Sequence, residues 1–113
     1  MLNDKETKEQ IKERFAGNQA LCQKVVDVLF LFSNKTRFRI LCMLAEGDFC
    51  VNDIVEVIDL GKASNVSQQL KLLTLAGILE KQRARQQIFY HLKDKRVRKL
   101  IEFLKKHYLT TEV

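Results

Sequence analysis

The sequence predicts a mainly α-helical domain with one small β-hairpin, and three observations lead to this fold class. Apolar residues recur every three to four positions in several segments between residues 11 and 108, which is the spacing of amphipathic helices. Two β-prone runs flank a short basic tip at residues 83–86, which indicates a hairpin. The 113 residues contain no proline, no internal repeat and no low-complexity segment, so no linker suggests a second domain.

The first predicted helix runs over residues 11–32, after a charged and polar N-terminal arm at residues 1–10 that we expect to be flexible or helical. The second half of this helix is apolar on most sides. A single small domain rarely needs so apolar a first helix, so we expect it to pack against a second subunit. The rest of the chain, residues 11–113, is then one domain with dimerisation helices at both ends.

Two short helices are predicted next. Ser33 or Asn34 can cap a helix over residues 35–46, which Gly47 ends. Its apolar stripe consists of Phe38, Ile40, Leu41, Leu44 and Ala45. A third helix follows, with apolar residues at positions i, i+3, i+4 and i+7, namely Val51, Ile54, Val55 and Ile58. We expect Cys50 to cap this helix or to lie in its first turn.

The functional prediction depends on residues 62–77, which we name the recognition stretch. One face of this predicted helix is apolar, and Gly77 is a natural stop. The apolar residues are Ala63, Val66, Leu70 and Leu73. The opposite face carries short amides, a hydroxyl and Lys71 but no acidic residue, and such groups can bind base edges and phosphates in a major groove. The other interpretation is an ordinary amphipathic surface helix, although most of those carry Glu and Lys instead.

The hairpin decides between these interpretations, because a helix-turn-helix followed by a basic hairpin is a winged helix. After the hairpin, Asp94 can cap a last helix. Its apolar stripe consists of Val97, Leu100, Ile101, Leu104 and Tyr108. This stripe needs a partner surface, and the first helix of both subunits would supply one. The complete prediction is a dimeric winged helix-turn-helix of five helices and a two-stranded wing.

The net charge of +6 is unevenly distributed along the chain. Residues 1–61 hold 8 basic and 10 acidic side chains, whereas residues 62–113 hold 12 basic and 4 acidic ones. The excess of positive charge therefore begins at the recognition stretch. Such segregation is typical of a surface that binds a polyanion.

Three motifs together resemble the ArsR/SmtB family of small dimeric winged-helix repressors. They are NKTRFRIL at residues 34–41, SNVSQQLKLLTLAGI at residues 64–78 and QIFYHL at residues 87–92. The resemblance covers roughly residues 20–108. The chain departs from the family in the turn Asp59-Leu60-Gly61, which is one residue longer, and Gly61 or Lys62 stands where the family has a Ser cap.

The resemblance implies a homodimer that binds double-stranded DNA at an imperfect palindromic operator and represses transcription. The recognition stretch would enter the major groove while the wing reaches phosphates or the adjacent minor groove. The residues expected to contact DNA are Lys62, Ser64, Asn65, Ser67, Gln68, Gln69, Lys71, Arg83, Arg85 and Gln86. The alternative from another class is a protein-interaction module whose basic half binds an acidic protein, but uncharged amides and serines favour DNA.

Members of this family respond to metals or to thiol-reactive species, and the chain matches each type of site incompletely. Of one four-ligand metal site, Asp94 and His107 match, but Arg96 and Thr110 occupy the other positions. A thiolate site with the sequence Cys-Val-Cys is reduced here to CVN at residues 50–52. A metal-responsive repressor therefore remains the alternative, and we expect neither a metal nor another cofactor.

A third subgroup of the family senses sulfide, persulfide or oxidants through two cysteines. Cys42 matches the cysteine of the second helix, whereas Tyr108 and Leu109 occupy the positions of its partner. Cys22 or Cys50 could replace that partner. We expect modification to begin at Cys50, since a helix N-terminus lowers a thiol pKa, and Cys42 to be protected as a core filler. Three thiols without a sensing role are an equally open interpretation.

Other classes of protein fit the sequence poorly. His91 and His107 have no recognisable nucleophile or carboxylate partner, so we expect no enzyme activity. No apolar run approaches the ~18 residues of a membrane span, and no signal-peptide pattern opens the chain. We therefore expect a cytoplasmic protein with reduced cysteines.

Overall fold

The computed structural model describes residues 6–58 and 63–109, and within these ranges it contains six helices and three strands. The elements are α1 (Lys8–Gly17), α2 (Gln19–Phe32), α3 (Lys35–Leu44), β1 (Phe49–Cys50), α4 (Val51–Ile58), α5 (Ala63–Leu75), β2 (Leu79–Ala84), β3 (Gln87–Leu92) and α6 (Lys95–Tyr108). The mainly helical fold with a hairpin is confirmed, but the prediction of five helices and two strands is wrong. The predicted turn at residues 59–61 and the start of the recognition stretch at Lys62 lie outside the described residues. The chain divides into two compact units, with the boundary between Phe30 and Leu31.

The first unit contains α1 and most of α2, which is two helices where the sequence predicts one. Thr7 caps α1 through a capping box, because its hydroxyl accepts from the Gln10 amide while Gln10 Oε1 accepts from the Thr7 amide, at 3.2 and 2.7 Å. Asn18 then leaves the helical conformation at φ −119° and ψ 24°, immediately after Gly17. Glycine is poorly suited to a helix interior, which explains why the chain breaks there. Residues 8–10 of the predicted arm belong to α1.

The surface of α2 is apolar and exposed. The structure buries no residue of this helix. Five large side chains each expose more than half of their surface, namely Leu21, Val25, Val26, Leu29 and Phe30. We name them the α2 face. An apolar patch of this kind usually marks an interaction surface.

The second unit packs α3 to α6 and the strands around one hydrophobic core. The core includes Ile40, Leu41, Leu44, Ile54, Ile58, Val66, Leu70, Leu73, Val97 and Ile101. Each predicted helical stripe therefore contributes its central residues to the core, as amphipathic spacing requires. Two outer members lie outside the core of the single chain, since Ala63 is exposed and Tyr108 exposes 73% of its surface. Packing of Tyr108 against a second subunit stays a prediction.

The helix ends follow local capping rules. Asn34 caps α3, since its Oδ1 accepts from the Arg37 amide at 2.9 Å, but α3 ends at Leu44, two residues before the predicted end. After α5, Gly77 adopts φ 80° and its amide donates to the Thr74 carbonyl, while the Ile78 amide donates to the Leu73 carbonyl. This pair of bonds is a Schellman motif. The predicted stop at Gly77 is confirmed.

The strands form an antiparallel sheet in the order β1-β3-β2. The unpredicted strand β1 is only two residues long and pairs Cys50 with Phe89 of β3. The tip of the hairpin is shorter than predicted, because Arg83 lies within β2 opposite Ile88. Only Arg85 and Gln86 form the turn.

Asp94 caps α6 as predicted, since its Oδ1 accepts from the amides of Arg96 and Val97 at 2.8 and 3.2 Å. Val97 and Ile101 are buried, whereas Phe103 exposes 52% of its surface. In the ranges that the structure describes, no helix combines the length and the apolar character needed to cross a membrane.

Candidate nucleic-acid interface

The outer face of α5 presents uncharged polar groups and one lysine over residues 64–71, followed by the exposed Leu72 and Leu75 at the end of the helix. Val66, Leu70 and Leu73 anchor the opposite side of the helix in the core, so the outer face points to solvent. The exposed side chains predicted to contact DNA are Ser64, Ser67, Gln68 and Lys71. The helix carries no acidic residue. This face can therefore approach a polyanion without charge repulsion, and its amide and hydroxyls can read base edges.

Two other residues predicted to contact DNA, Asn65 and Gln69, form hydrogen bonds within the chain. Asn65 Nδ2 donates to Thr36 Oγ1 at 3.0 Å, and Gln69 Nε2 donates to Asn65 Oδ1 at 3.1 Å. Both residues are only partly exposed. Their amides therefore connect α5 to α3 as well as lying beside the outer face.

Arg37 completes this network, and sequence reasoning missed it. Its side chain is 6% exposed, its Nε donates to the Leu31 carbonyl at 3.1 Å, and its Nη1 donates to Gln69 Oε1 at 2.8 Å. A buried guanidinium needs such partners, because leaving the charge unpaired would be costly. A signal was present in the sequence, since Arg37 stands at the i position of the buried i, i+3, i+4, i+7 series that continues with Ile40, Leu41 and Leu44.

The wing supplies further positive charge. Arg83, Arg85 and Gln86 are all exposed, with Arg83 on β2 and the other two in the turn. Within residues 6–58 and 63–109, the side chains of Lys71, Arg83 and Arg85 form no ion pair. Their charges are therefore available to phosphates.

Arg85 has a strained backbone at the turn of the wing. Its φ of 61° makes it the one non-glycine residue with positive φ among those that the structure describes. A two-residue hairpin turn favours this conformation at its first position, usually with glycine. A side chain other than glycine there costs roughly 1–2 kcal/mol. The turn therefore carries an arginine at the expense of backbone stability.

We expect Arg85→Gly to change stability and DNA binding in opposite directions. The free energy of unfolding should rise by about 1 kcal/mol, since glycine relieves the strain. Affinity for all DNA should fall, since a phosphate contact is lost. Chemical denaturation and fluorescence anisotropy measure the two effects. Arg85→Lys, which keeps both the charge and the strain, is the matched control, and an unchanged DNA affinity in Arg85→Gly would remove the wing tip from the interface.

The two residues that match a family metal site have other roles here. The Asp94 carboxylate caps α6 and pairs with Arg96 Nη2 at 3.0 Å, and this bond to Arg96 holds the Asp94 pKa below its usual value. The His107 ring packs against Phe103 with ring centroids 4.4 Å apart. No group of three or more His, Cys, Asp or Glu residues suited to a metal occurs among the described residues, and Thr110 lies outside them.

The three cysteines are unpaired, and their exposure differs from the prediction. Cys50 directly precedes α4 but belongs to β1 and is 7% exposed, while Cys42 is 4% exposed in the core. Burial raises the pKa of the Cys42 thiol. Cys22 is exposed. The expected contrast between an accessible Cys50 and a protected Cys42 is therefore absent, because pairing of β1 with β3 brings Cys50 into the interior.

We expect Cys42 and Cys50 both to react slowly in the native protein. Labelling with a bulky maleimide should proceed at least about tenfold more slowly at both than in denaturant, since each needs a local opening. Cys42 should in addition require a higher pH, since its raised pKa keeps it as a neutral thiol. Peptide mass spectrometry measures each site. Labelling of native Cys50 as fast as in denaturant would contradict its burial and restore the accessible thiol that the sequence suggested.

Comparison with known proteins agrees with this geometry. Residues 34–81 match the family described as "Bacterial regulatory protein, arsR family". The "Biofilm growth-associated repressor" of Xylella fastidiosa strain Temecula1 is 34% identical over 89 residues, which cover 79% of this chain and 77% of that protein. The "Transcriptional activator HlyU" of Vibrio cholerae is 31% identical over 85 residues, covering 75% of this chain and 78% of that protein.

A solved structure gives the same result. The transcriptional repressor BigR from Xylella fastidiosa aligns with a TM-score of 0.73 at 29% identity, covering 94% of this chain and 100% of that one. The helix-turn-helix, the basic wing and these relatives lead to one assignment. The chain belongs to the arsR family of bacterial regulatory proteins and is a DNA-binding transcriptional regulator.

Proposed function

We propose that this protein is a homodimeric repressor that binds an imperfect palindromic operator and is released from it by a small inducer. The observation that carries the proposal is the outer face of α5, with its exposed Gln68, serines and Lys71, together with the exposed wing arginines, which form no ion pair with a described residue. Amides and hydroxyls read bases, while lysine and arginine bind phosphates. The name of the Xylella fastidiosa relative supports repression, whereas the Vibrio cholerae relative is named an activator, so the reporter experiment below decides the direction of regulation.

The DNA-contacting residues divide by expected role. Ser64, Ser67 and Gln68 read base edges, whereas Lys71 and the wing residues Arg83, Arg85 and Gln86 contact the backbone. Asn65 and Gln69 keep their place beside the groove but act mainly on the position of α5, because their amides already have partners within the chain. Lys62 lies outside the described residues, and it stays a predicted DNA contact at the start of the recognition stretch.

The proposed dimer rests on the α2 face. Its five large apolar side chains each expose more than half of their surface in the single chain. Phe103 and Tyr108 of α6, which expose 52% and 73%, add further apolar area. Covering such side chains with a second copy removes apolar surface from water, which favours association.

Selection of bound DNA from a random pool tests the proposal. The expected result is a consensus of two inverted half-sites, about one helical turn or ~34–36 Å apart, bound by a dimer. Anisotropy titrations should show a cognate affinity well above that for random DNA and a linear fall of log affinity with log salt. A reporter placed behind the selected site tests repression. A monomer in light scattering at micromolar concentration, or no sequence enrichment, would refute the proposal.

A further inference from the structure

A cleft of about 410 Å³ lies in the second unit, away from the outer face of α5. Its walls come from α3, β1, α4 and α6. One part of the wall is apolar and is formed by Met43, Phe49, Val57 and Ile58. This volume falls within the roughly 300–1,000 Å³ of small-molecule sites, which combine apolar walls with a few polar groups.

The cleft carries one positive charge that has no partner. Arg39 lines it, and no hydrogen bond or ion pair joins its guanidinium to any residue in the described ranges. Its Nε is shielded from solvent and unsatisfied. Buried polar groups normally have a partner, so one that lacks it needs an explanation, such as a bound ion.

The other two charges at the cleft neutralise each other. Lys105 of α6 pairs with the carboxylate of Glu46, and this hydrogen bond lowers the Glu46 pKa. The pair also joins α6 to the end of α3. The net charge of the lining side chains is therefore +1, at Arg39, which suits a ligand with a single negative charge.

Cys42 also lines the cleft but adds no charge. Burial raises its pKa, so the thiol is neutral at neutral pH and behaves as part of the apolar wall. Neither Cys22 nor Cys50 lines the cleft. The lining thus offers one thiol, one free guanidinium and an apolar surface.

We propose that this cleft binds a small organic anion, a monocarboxylate with a short aliphatic chain or ring. The carboxylate accepts hydrogen bonds from the Arg39 guanidinium, and the apolar part lies against Met43, Phe49 and Val57. A planar guanidinium can donate two parallel bonds to one carboxylate, which fixes the head group. Burial of the tail contributes the hydrophobic part of the affinity.

The cleft is placed where its occupant can influence DNA binding, and this consequence rests on the function proposed above. Val57 and Ile58 belong to α4, which directly packs against α5. A ligand that separates or tightens α3, α4 and α6 changes the support of α5. If the ligand binds one arrangement of these helices more tightly than another, it shifts the equilibrium between them. The free energy of DNA binding then changes by at most the difference between the two ligand-binding free energies.

Isothermal titration calorimetry on the full chain tests the site without DNA. The probes are straight-chain monocarboxylates from butanoate to octanoate, with hexan-1-ol as the uncharged comparison. We expect affinity to increase with chain length and the alcohol to bind at least about tenfold more weakly than hexanoate. Failure of every carboxylate to bind at millimolar concentration would overturn the proposal.

Variants of the lining residues test whether the carboxylate binds in this cleft and whether the Cys42 thiol is needed for binding. Arg39→Gln should weaken hexanoate binding about tenfold or more, whereas Lys99→Gln, which removes one charge from an exposed position of α6, should not. Val57→Glu places a carboxylate at the exposed edge of the cleft and should also weaken binding, which covers the case that Arg39→Gln unfolds. Cys42→Ser should retain binding. Equal affinities in Arg39→Gln, Val57→Glu and the original chain would overturn the site.

Anisotropy with selected operator DNA, at increasing hexanoate, then tests the link to regulation. A change in DNA affinity that disappears in Arg39→Gln supports it, and an unchanged affinity refutes the link while the calorimetric site stands. A chain that binds carboxylates but no specific DNA refutes the proposed function alone.

Discussion

Replacing Arg37 by Met is expected to lower the free energy of unfolding by about 2–4 kcal/mol and the affinity for all DNA by tenfold or more. The guanidinium joins the Leu31 carbonyl to Gln69 of α5, and methionine fills a similar volume but donates no hydrogen bond. In this variant no donor remains for Gln69 Oε1 at that position, and α5 loses one of its connections to α3. The loss should be uniform across DNA sequences, since Arg37 is buried and positions the helix rather than reading bases.

Two variants make this result specific to the network. Arg37→Lys keeps the charge but cannot reach both acceptors with a planar fork, so it should recover only part of the stability. Lys99→Met removes an exposed charge and should cost less than about 0.5 kcal/mol. A double-mutant cycle of Arg37→Met with Gln69→Leu isolates their interaction. Additive effects in that cycle would show that the bond between Arg37 and Gln69 does not support α5.

Gln68→Ala is expected to cost about 1–3 kcal/mol of binding free energy on the selected operator and nearly nothing on random DNA. Gln68 is exposed at the centre of the outer face of α5, and its amide can pair with the N6 and N7 atoms of an adenine. Its truncation should leave the free energy of unfolding almost unchanged, because no hydrogen bond joins its side chain to another described residue.

Two further variants distinguish a residue that reads bases from one that contacts the DNA backbone or positions α5. Arg85→Ala should weaken operator and random DNA equally and flatten the salt dependence. Asn65→Ala should lower stability as well as affinity, since it breaks the bonds to Thr36 and Gln69. Equal losses on both kinds of DNA for Gln68→Ala would show that this residue does not read sequence.

The elements that the sequence predicts well are those whose signals are local. The Gly77 stop, the Asn34 and Asp94 caps and the buried stripes of α3 to α6 depend on residues within one or two helical turns. Capping and amphipathic spacing act at that range. The break between α1 and α2 was equally local, at Gly17 and Asn18, but the apolar pattern continues across it and favoured one helix.

The elements that the sequence does not predict depend on distant partners. Strand β1 has two residues, and only its pairing with β3, some forty positions later, makes it a strand. That pairing buries Cys50, which a local reading placed at an accessible helix start. Asn65 and Gln69 have the chemistry of base-reading residues, but Thr36 and Arg37 of another helix occupy their amides. Residue type alone cannot distinguish these two uses of an amide.

The order β1-β3-β2 also has a consequence for aggregation. Strand β2 lies at an edge of the sheet, and the backbone amides and carbonyls along such an edge can pair with a strand from another molecule. Five of its six residues are exposed, and they include Glu80, Lys81 and Arg83. Charged side chains oppose the addition of another strand. The charges of the wing therefore oppose edge-to-edge pairing whether or not DNA is present. A wing without these charges would lose DNA affinity and would also self-associate through β2.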